Sequence, residues 1–528
     1  MIMARNEDGT YNQVGFVKDS NGIDTEYIYD KDGDIVFEKG FTRETSGTVP
    51  LTINGIGKDL KDWSITGNTV QNGTPTPNNP IEVQAVGDRT ANIFPAGEKK
   101  TVVSNGVTFD SDGSGRYHIS GTASAHSSVS FNLVSGFTAP ISVSNGGQGT
   151  LSFFNTQRNN SVTFAFYNGT TKVDDWTMMS INRTSVAYNV IGNKYVDKVI
   201  IIINSGATVD MTIMPEFTND GVLPSGFEPY GYKIPVVTRG KNLFDYKTMY
   251  GVKDKYLNEN GEILDSVGNW SISDYIPCSG TVFTINSIGG ILPAVCLYDS
   301  HKNFITGHAY DTGGATFKKP VTIKSETNAS YIRFSYCVMS ETSASDDLSK
   351  IQIEEGTTAT PYEPYHEPIT TPIYLDSPLY KIGDHADRLS KTEEIRVVKE
   401  LVLTGEENWH AQYNGFTLSV TKQSGRDTVL STHYKASTST SIDKGVYSES
   451  TNVILIFDSD YTTLADFKAY LAAQYAAGTP VKVYYVMQTP ETKTVEPVEI
   501  PTINDTTVID VDTKVEPSDI YIKYKSSK

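Results

Sequence analysis

The sequence predicts an all-β, multi-domain chain, in which two tandem β-sandwich modules of jelly-roll-like form precede a β-rich C-terminal domain with one short helix. Three observations predict it. A domain-sized motif recurs: Asn92-Ile93-Phe94 opens a segment that Phe227-Glu228-Pro229-Tyr230 closes, and Asn242-Leu243-Phe244 opens a second that Tyr362-Glu363-Pro364-Tyr365 closes. Solenoid periods run at roughly 20–50 residues, so a period this long is a whole folding unit. Short runs alternating apolar and polar residues, separated by Asn-Gly and Asp-Gly pairs, fill both segments. Convincing helical periodicity occurs once, near the C-terminus.

Bulk properties narrow the function classes. The 528 residues suffice for several domains. With 44 Lys and Arg against 62 Asp and Glu, the net charge of −18 disfavours nucleic acid and anionic membrane as partners. Cys278, Cys296 and Cys337 all fall in the second segment, an odd number that forms no disulfide framework, and their spacing offers no zinc site; they read as buried core residues. No stretch reaches the roughly 20 apolar residues of a membrane span. Met1–Asp8 has no apolar leader character, so synthesis in a cytoplasm without a classical export signal is expected.

Taken in order, residues 1–47 read as a β-meander attachment region, with Tyr27-Ile28-Tyr29 and Ile35-Val36-Phe37 flanking the turn pair Asp32-Gly33. Residues 48–90 read as an extended connector followed by a strand. Pro75, Pro77 and Pro80 forbid a helix or a central strand there, and Ile81–Val86 alternates as a half-buried strand does. Residues 91–235 form the first sandwich module, with runs such as Val129–Leu133 and Val162–Phe166 and turns at Asn105-Gly106, Asp112-Gly113 and Asn168-Gly169. Residues 236–370 form the second, with Val282–Ile285, Ala294–Tyr298 and Tyr331–Tyr336. Residues 371–528 form the C-terminal β-rich domain. Its helix is marked by Leu464, Phe467, Leu471 and Tyr475 at helical spacing and is ended by Gly478.

These residues carry a resemblance. The run Gly67–Pro80 resembles a connector of minor tail proteins of phages and prophages of Gram-positive gut bacteria, and Gly240–Asp245 closing in Thr357–Tyr365 is similar to their carbohydrate-binding-module-like domain. Leu401–Trp409 and Glu516–Tyr521 fit the same proteins. The first module departs from the pattern, with Thr90-Ala91-Asn92-Ile93-Phe94 at its opening and Gly226-Phe227 before Glu-Pro-Tyr. The resemblance implies a virion tail fibre, baseplate or receptor-binding protein, assembled in the host cytoplasm as a homotrimer. Its implied partners are other tail and baseplate proteins and host cell-surface polysaccharide.

No nucleophile elbow, metalloprotease motif or phosphate-binding glycine loop occurs, so the chain is not expected to be an enzyme. Sugar recognition uses aromatic faces flanked by polar groups. The glycan-binding candidates are Trp176 beside Asp174 and Asp175, Trp270 beside Asn269, and Tyr298 and Tyr310 near His308. No cofactor is expected unless calcium, for which Asp110 and Asp112 are the candidate ligands. Asn92, Phe94, Tyr230, Asn242, Phe244 and Tyr365 read as structural edges of the modules. The expected function is host attachment by multivalent glycan binding. A purely structural tail component and a glycan-degrading tail enzyme are the alternatives.

Overall fold

The computed structural model describes residues 2–5, 11–18, 24–29, 34–38, 48–53, 59–139, 150–157, 159–177, 194–218, 226–249, 251–266, 270–286, 294–309, 320–337, 350–412, 415–425, 428–440, 442–448 and 452–525. Over these residues the chain is all-β with a single helix. It divides into two compact units, one of residues 87–234 with 374–378, the other of residues 1–86, 235–373 and 379–528.

The first unit is a sandwich. One sheet orders the strands Lys100–Ser104, Val107–Ser111, Tyr117–Thr122, Thr208–Thr218 and Thr150–Asn155; the other orders Ser127–Ala139, Lys194–Ile203, Val162–Asn168 and Thr171–Thr177. Alternation aims one face of each sheet inward. Phe109, Tyr117, Ile119, Met211 and Ile213 meet Phe131, Phe164, Phe166, Val199 and Ile201 in one core. Turn chemistry fixes the register. Asn105 and Gly106 both take positive φ, at 48° and 84°, and join two strands through a two-residue turn whose twist matches theirs. A Cβ at Gly106 would lie 2.6 Å from the Thr122 carbonyl oxygen.

In the second unit, residues 236–370 build a sheet in the order Phe304–Ala309, Ala294–Tyr298, Val321–Cys337, Ile276–Asn286 and Gln352–Glu355, with Trp270–Ile272 pairing the end of Val321–Cys337. The strand Ala294–Tyr298 is buried along its whole length. Val295 and Leu297 enter a core with Phe244, Phe283 and Phe334, while Ala294, Cys296 and Tyr298 face the opposite way, against Leu257 and Ile272. That double burial explains its unbroken apolar run. Cys296 is a core residue whose thiol burial pushes up to about 11. Cys278 is half-buried against the other core, that of Phe244, Phe283 and Phe334, and burial raises its thiol as well, so neither is a ready nucleophile.

The C-terminal residues do not form a separate final bead. Residues 519–525 pair with Asp34–Glu38 on one side and Asp59–Thr66 on the other. Residues 507–512 likewise pair with Val236–Gly240 and with Thr48–Ile53. The N-terminal meander therefore runs into a ten-stranded sheet that goes on through Arg388–Ser390, Glu393–Val402, Lys482–Thr494 and Val429–Ser431. The turn pair Asp32-Gly33 lies outside the described residues. Arg239 ties this arrangement at a half-closed site, its Nε donating to Asp510 at 2.6 Å and its Nη2 to Glu355 at 3.0 Å. Burial opposes its charge, and the two carboxylates more than offset that.

The proline-rich connector differs from its expected extended form. Thr69-Val70 pairs antiparallel with Gln84-Ala85, so the residues between them double back, and Thr76 and Asn79 exchange backbone hydrogen bonds of 3.1 and 3.0 Å. Proline blocks helix and central strand but is at home in turns, and the same residues fit a folded loop. Of the expected strand Ile81–Val86, Gln84-Ala85 pairs with Thr69-Val70 and Val86 forms a single antiparallel bridge with Leu379. The helix is as expected: Leu464–Ala476, capped by Thr463, whose hydroxyl accepts from the Asp466 amide, with Gly478 at φ 78° beyond its end. Phe467 stacks on Phe416 at 4.1 Å and meets Trp409 edge-on at 5.2 Å. Tyr475 is the exception, 53% exposed, because the stripe outlasts the sheet it covers.

Each module is closed by one buried asparagine, in the same way. Asn92 Oδ1 accepts from the amides of Phe94 (2.9 Å) and Phe217 (3.1 Å), and its Nδ2 donates to the Glu228 carbonyl at 2.9 Å. Asn242 Oδ1 accepts from the amides of Phe244 and Ile353, both at 3.1 Å, and its Nδ2 donates to the carbonyls of Glu363 (3.1 Å) and Ile351 (3.3 Å). The next bonds also match. Ile93 and Leu243 each donate to the carbonyl of that strand residue, Phe217 or Ile353, at 2.8 Å. The Glu228 amide donates to Glu216 and the Glu363 amide to Gln352. Phe94 stacks on Phe217 at 5.5 Å, and Phe244 meets Phe334 at 5.1 Å. The edge residues are thus clasps that hold opening, last strand and closing segment together. Replacing Asn242 by Ala orphans two amides whose residues are fully or nearly buried, and should cost about 2–4 kcal/mol of stability in urea unfolding. Asn92→Ala should cost a similar amount in the first module.

Candidate functional site

The second module carries an aromatic and cationic cluster at the turn between Ala294–Tyr298 and Phe304–Ala309. Tyr298, a sequence candidate, is only 3% exposed. It lies beneath the residues that reach solvent: its ring is 5.1 Å from Tyr275 and 6.1 Å from Phe304, both edge-on, and Tyr275 in turn meets Tyr331 at 5.8 Å. Phe304 is 42% exposed, and Tyr275 and Tyr331 are half-buried. Tyr298 is thus a supporting residue, and the surface above it is Phe304, Tyr275 and Tyr331.

Two cations complete the cluster. The Lys302 ammonium lies 4.8 Å from the Tyr275 ring centre and 5.7 Å from that of Tyr331. The Arg333 guanidinium, in a buried residue, is 4.4 Å from Tyr275 and donates from Nε to the Ser273 carbonyl at 3.1 Å. Cations over aromatic faces contribute roughly 0.5–2 kcal/mol, more where water is excluded. Lys302 has φ +64°, a left-handed conformation unfavourable for a lysine. The turn imposes it. Asp299 accepts from the His301 and Asn303 amides, each at 2.8 Å, and from the Asn303 side chain at 2.9 Å, while the Lys302 amide donates to the Asp299 carbonyl at 3.0 Å. Those hydrogen bonds, first that from the Asn303 side chain, hold the Asp299 carboxyl below its usual range. The cluster offers an exposed ring face, an ammonium and phenolic hydroxyls, the groups that engage the C–H patches and hydroxyls of a sugar.

The other sequence candidates lie apart. Trp270 is half-buried, at the end of the sheet and 6.1 Å from Tyr256. His308 is exposed on the strand of Phe304, opposite Val295. Asn269 and Tyr310 lie outside the described residues. Trp176, Asp174 and Asp175 belong to the other unit, on Thr171–Thr177. There Trp176 lies opposite Phe164, and Asp175 pairs with Lys172 at 2.9 Å. Asp110 accepts from the Thr101 hydroxyl. Asp112 holds its own turn, accepting from the Ser114 amide and hydroxyl, both at 2.7 Å. Among the described residues no three His, Cys, Asp or Glu side chains gather as a metal would need. Tyr230 lies near Arg89, 5.9 Å from ring centre to guanidinium, and Tyr365 is half-buried.

Tyr275, Tyr331, Lys302, Phe304 and Arg333 were not singled out by the sequence. Their only local signal is the polar run Asp299-Ser300-His301-Lys302-Asn303 between two strands, a turn whose Asp-to-Asn spacing allows the Asp299 bonds. Two results should follow. Lys302→Gly relieves the backbone strain, so the folded state should be unchanged or stabilised by up to about 1 kcal/mol in chemical denaturation, whereas a β-branched Lys302→Val should lose about 1–2 kcal/mol. Because the Asp299 carboxyl is lowered in the folded state, the order it lends the turn is complete above the unfolded carboxylate pKa. That order is lost as pH falls through the depressed value, which amide resonances of His301 and Asn303 should report.

Set against family models, curated proteins and solved structures, the chain matches none.

Proposed function

We propose that this chain is a tail fibre or baseplate protein of a phage or prophage of Gram-positive bacteria, that it attaches the virion to its host by binding cell-surface glycan, and that it acts as a homotrimer within the tail. The observation that carries the reading is the Phe304, Tyr275, Tyr331 and Lys302 cluster, where a turn holds a lysine in a left-handed conformation over two tyrosines beside an exposed phenylalanine. Strain of this kind is held where a side chain must be aimed. The resemblance of Gly67–Pro80 and of the module edges to minor tail proteins supplies the context. Single sugar contacts are weak, and several linked copies raise avidity by about 10²–10⁴.

A purely structural tail component is the second reading, and one observation favours it. The residues that carry the resemblance at the opening of the second module, Asn242 and Phe244, are engaged in closing that module, as Asn92 and Phe94 are in the first. They are architecture, and a family marked by them shares a scaffold before it shares a ligand.

The test uses the full chain. Wild-type protein should adsorb saturably to Gram-positive host cells and to their purified wall polysaccharide. Lys302→Gly and Tyr331→Ala should each weaken the single-site contact about tenfold or more, and adsorption of the oligomer by a larger factor. Undiminished adsorption by both variants would move the site elsewhere. A stable oligomer that adsorbs to no host in the panel would favour the structural reading.

A further inference from the structure

A concave site lies apart from the aromatic cluster, on residues that are not among those of the cluster. It is an open cleft of about 440 Å³ lined by four separate segments, around Gln71, Lys381-Ile382, Val429-Leu430 and Ala436–Thr438. That volume falls in the range of small-ligand sites, about 300–1,000 Å³.

The walls are held by a network of bonds. The Gln71 amide donates to the carbonyls of Ser431 at 3.0 Å and Ile81 at 3.2 Å, which commits both of its hydrogens and leaves its oxygen as an acceptor. The Lys381 amide donates to the Thr69 hydroxyl at 2.8 Å. Of its apolar lining, Leu430 is half-buried and offers an aliphatic face, whereas Ile382 and Val429, 4% and 1% exposed, are packed inside.

The charge is the informative feature. Acidic residues outnumber basic ones, 62 to 44, and several lysines of this part of the chain are paired, Lys482 with Glu400 at 2.7 Å, Lys399 with Glu491 at 3.7 Å and Lys444 with Asp458 at 3.7 Å, while Lys435, beside the cleft wall at Ala436, is exposed. Among the described residues the Lys381 ammonium has no carboxylate partner, although the cleft is built around it. An ammonium donates and never accepts, the Gln71 oxygen accepts, the Thr438 hydroxyl does either, and the Leu430 face suits C–H groups.

We propose that the Lys381 cleft binds a saccharide unit bearing one anionic group, carboxylate or phosphate, with that group on Lys381, a sugar hydroxyl on Gln71 and the ring against Leu430. This is a site separate from the aromatic cluster, and it holds whether or not the chain attaches a virion to a host.

Ligand-observed NMR titrations of the full chain test it with glucose, glucuronate, glucose 6-phosphate and inorganic phosphate. Glucuronate or glucose 6-phosphate should bind saturably, at least about tenfold more tightly than glucose, and more weakly as salt rises. The tighter of the two names the charged group. Lys381→Gln should reduce the charged sugars to the level of glucose, with unchanged thermal unfolding, and Lys381→Arg should restore most of the difference. The aromatic-cluster variant Tyr331→Ala should leave this binding intact, so a failure of host adsorption in that variant does not touch the cleft. Equal affinity for glucose and its charged forms, or a Lys381→Gln variant that binds as wild type, would overturn the proposal. Inorganic phosphate binding as tightly as glucose 6-phosphate would overturn its saccharide part.

Discussion

The side chain of one asparagine, buried to 2% exposure in each module, is the constraint from which the rest of both modules follows. An antiparallel sandwich is closed only when its first segment lies against its last strand, and in both modules the main chain there leaves two amides and a carbonyl facing inward. Asparagine presents an acceptor and a donor from the same short side chain, which no apolar residue can do and which aspartate could do only by burying a charge. Once it is seated, the aromatic two residues later is delivered into the core, and the Glu-Pro-Tyr segment is drawn back over the edge. In the second module the constraint extends further. The Glu363 carboxylate accepts from the Thr506 amide at 2.9 Å and hydroxyl at 2.8 Å and pairs with Lys241 at 3.1 Å, and Arg239 binds Asp510. The clasp is therefore joined to the strand at the other end of the chain.

That junction gives the second unit its closed character. The strands Thr507–Asp512 and Asp519–Lys525 each fill a place between earlier strands, so neither sheet is continuous until the chain has been made almost to its end. Pairings so far apart in sequence incur their loop-closure entropy before any contact forms, which makes folding slow and leaves unpaired strand edges exposed meanwhile. The junction also means that residues 236–370 are not a detachable bead. Cutting them out would expose the Arg239 guanidinium and the carboxylates it serves, and the strand that Val236–Gly240 pairs with would be lost.

What was legible in the sequence is what is written locally. Asn105-Gly106 specified its turn because few other residues accept two successive positive φ angles. The helix was legible because its apolar spacing, its cap and its terminal glycine agree. The clasps were legible as repeats but not as mechanism, since nothing in Asn-x-Phe says which distant carbonyl the amide will reach. The connector was misjudged because proline states only what a segment cannot be. Tyr298 was misjudged for a related reason: a tyrosine on a strand buried on both faces reads like one at a surface, and only the sheet above it decides. Lys302 had only the signal of its polar turn, as its left-handed conformation is set by Asp299 and Asn303 acting together and its tyrosines arrive from the loop before Ile276–Asn286 and from the strand Val321–Cys337.

The distribution of charge bears on how such a molecule could hold an anionic partner. A net charge of −18 repels a negatively charged polymer at long range, but in physiological salt that field decays over about 8 Å. Within that distance local groups decide, and the chain places its cations accordingly. Lys302 and Arg333 lie against aromatic rings and Lys381 stands in a cleft, while many other lysines are neutralised by carboxylates. A cation packed against aromatic rings or set in a cleft keeps part of its attraction because less water screens it, whereas an exposed lysine keeps almost none. Specificity then comes from the acidic background itself, because a ligand that fails to reach these few points gains nothing from the surface and is pushed away by it.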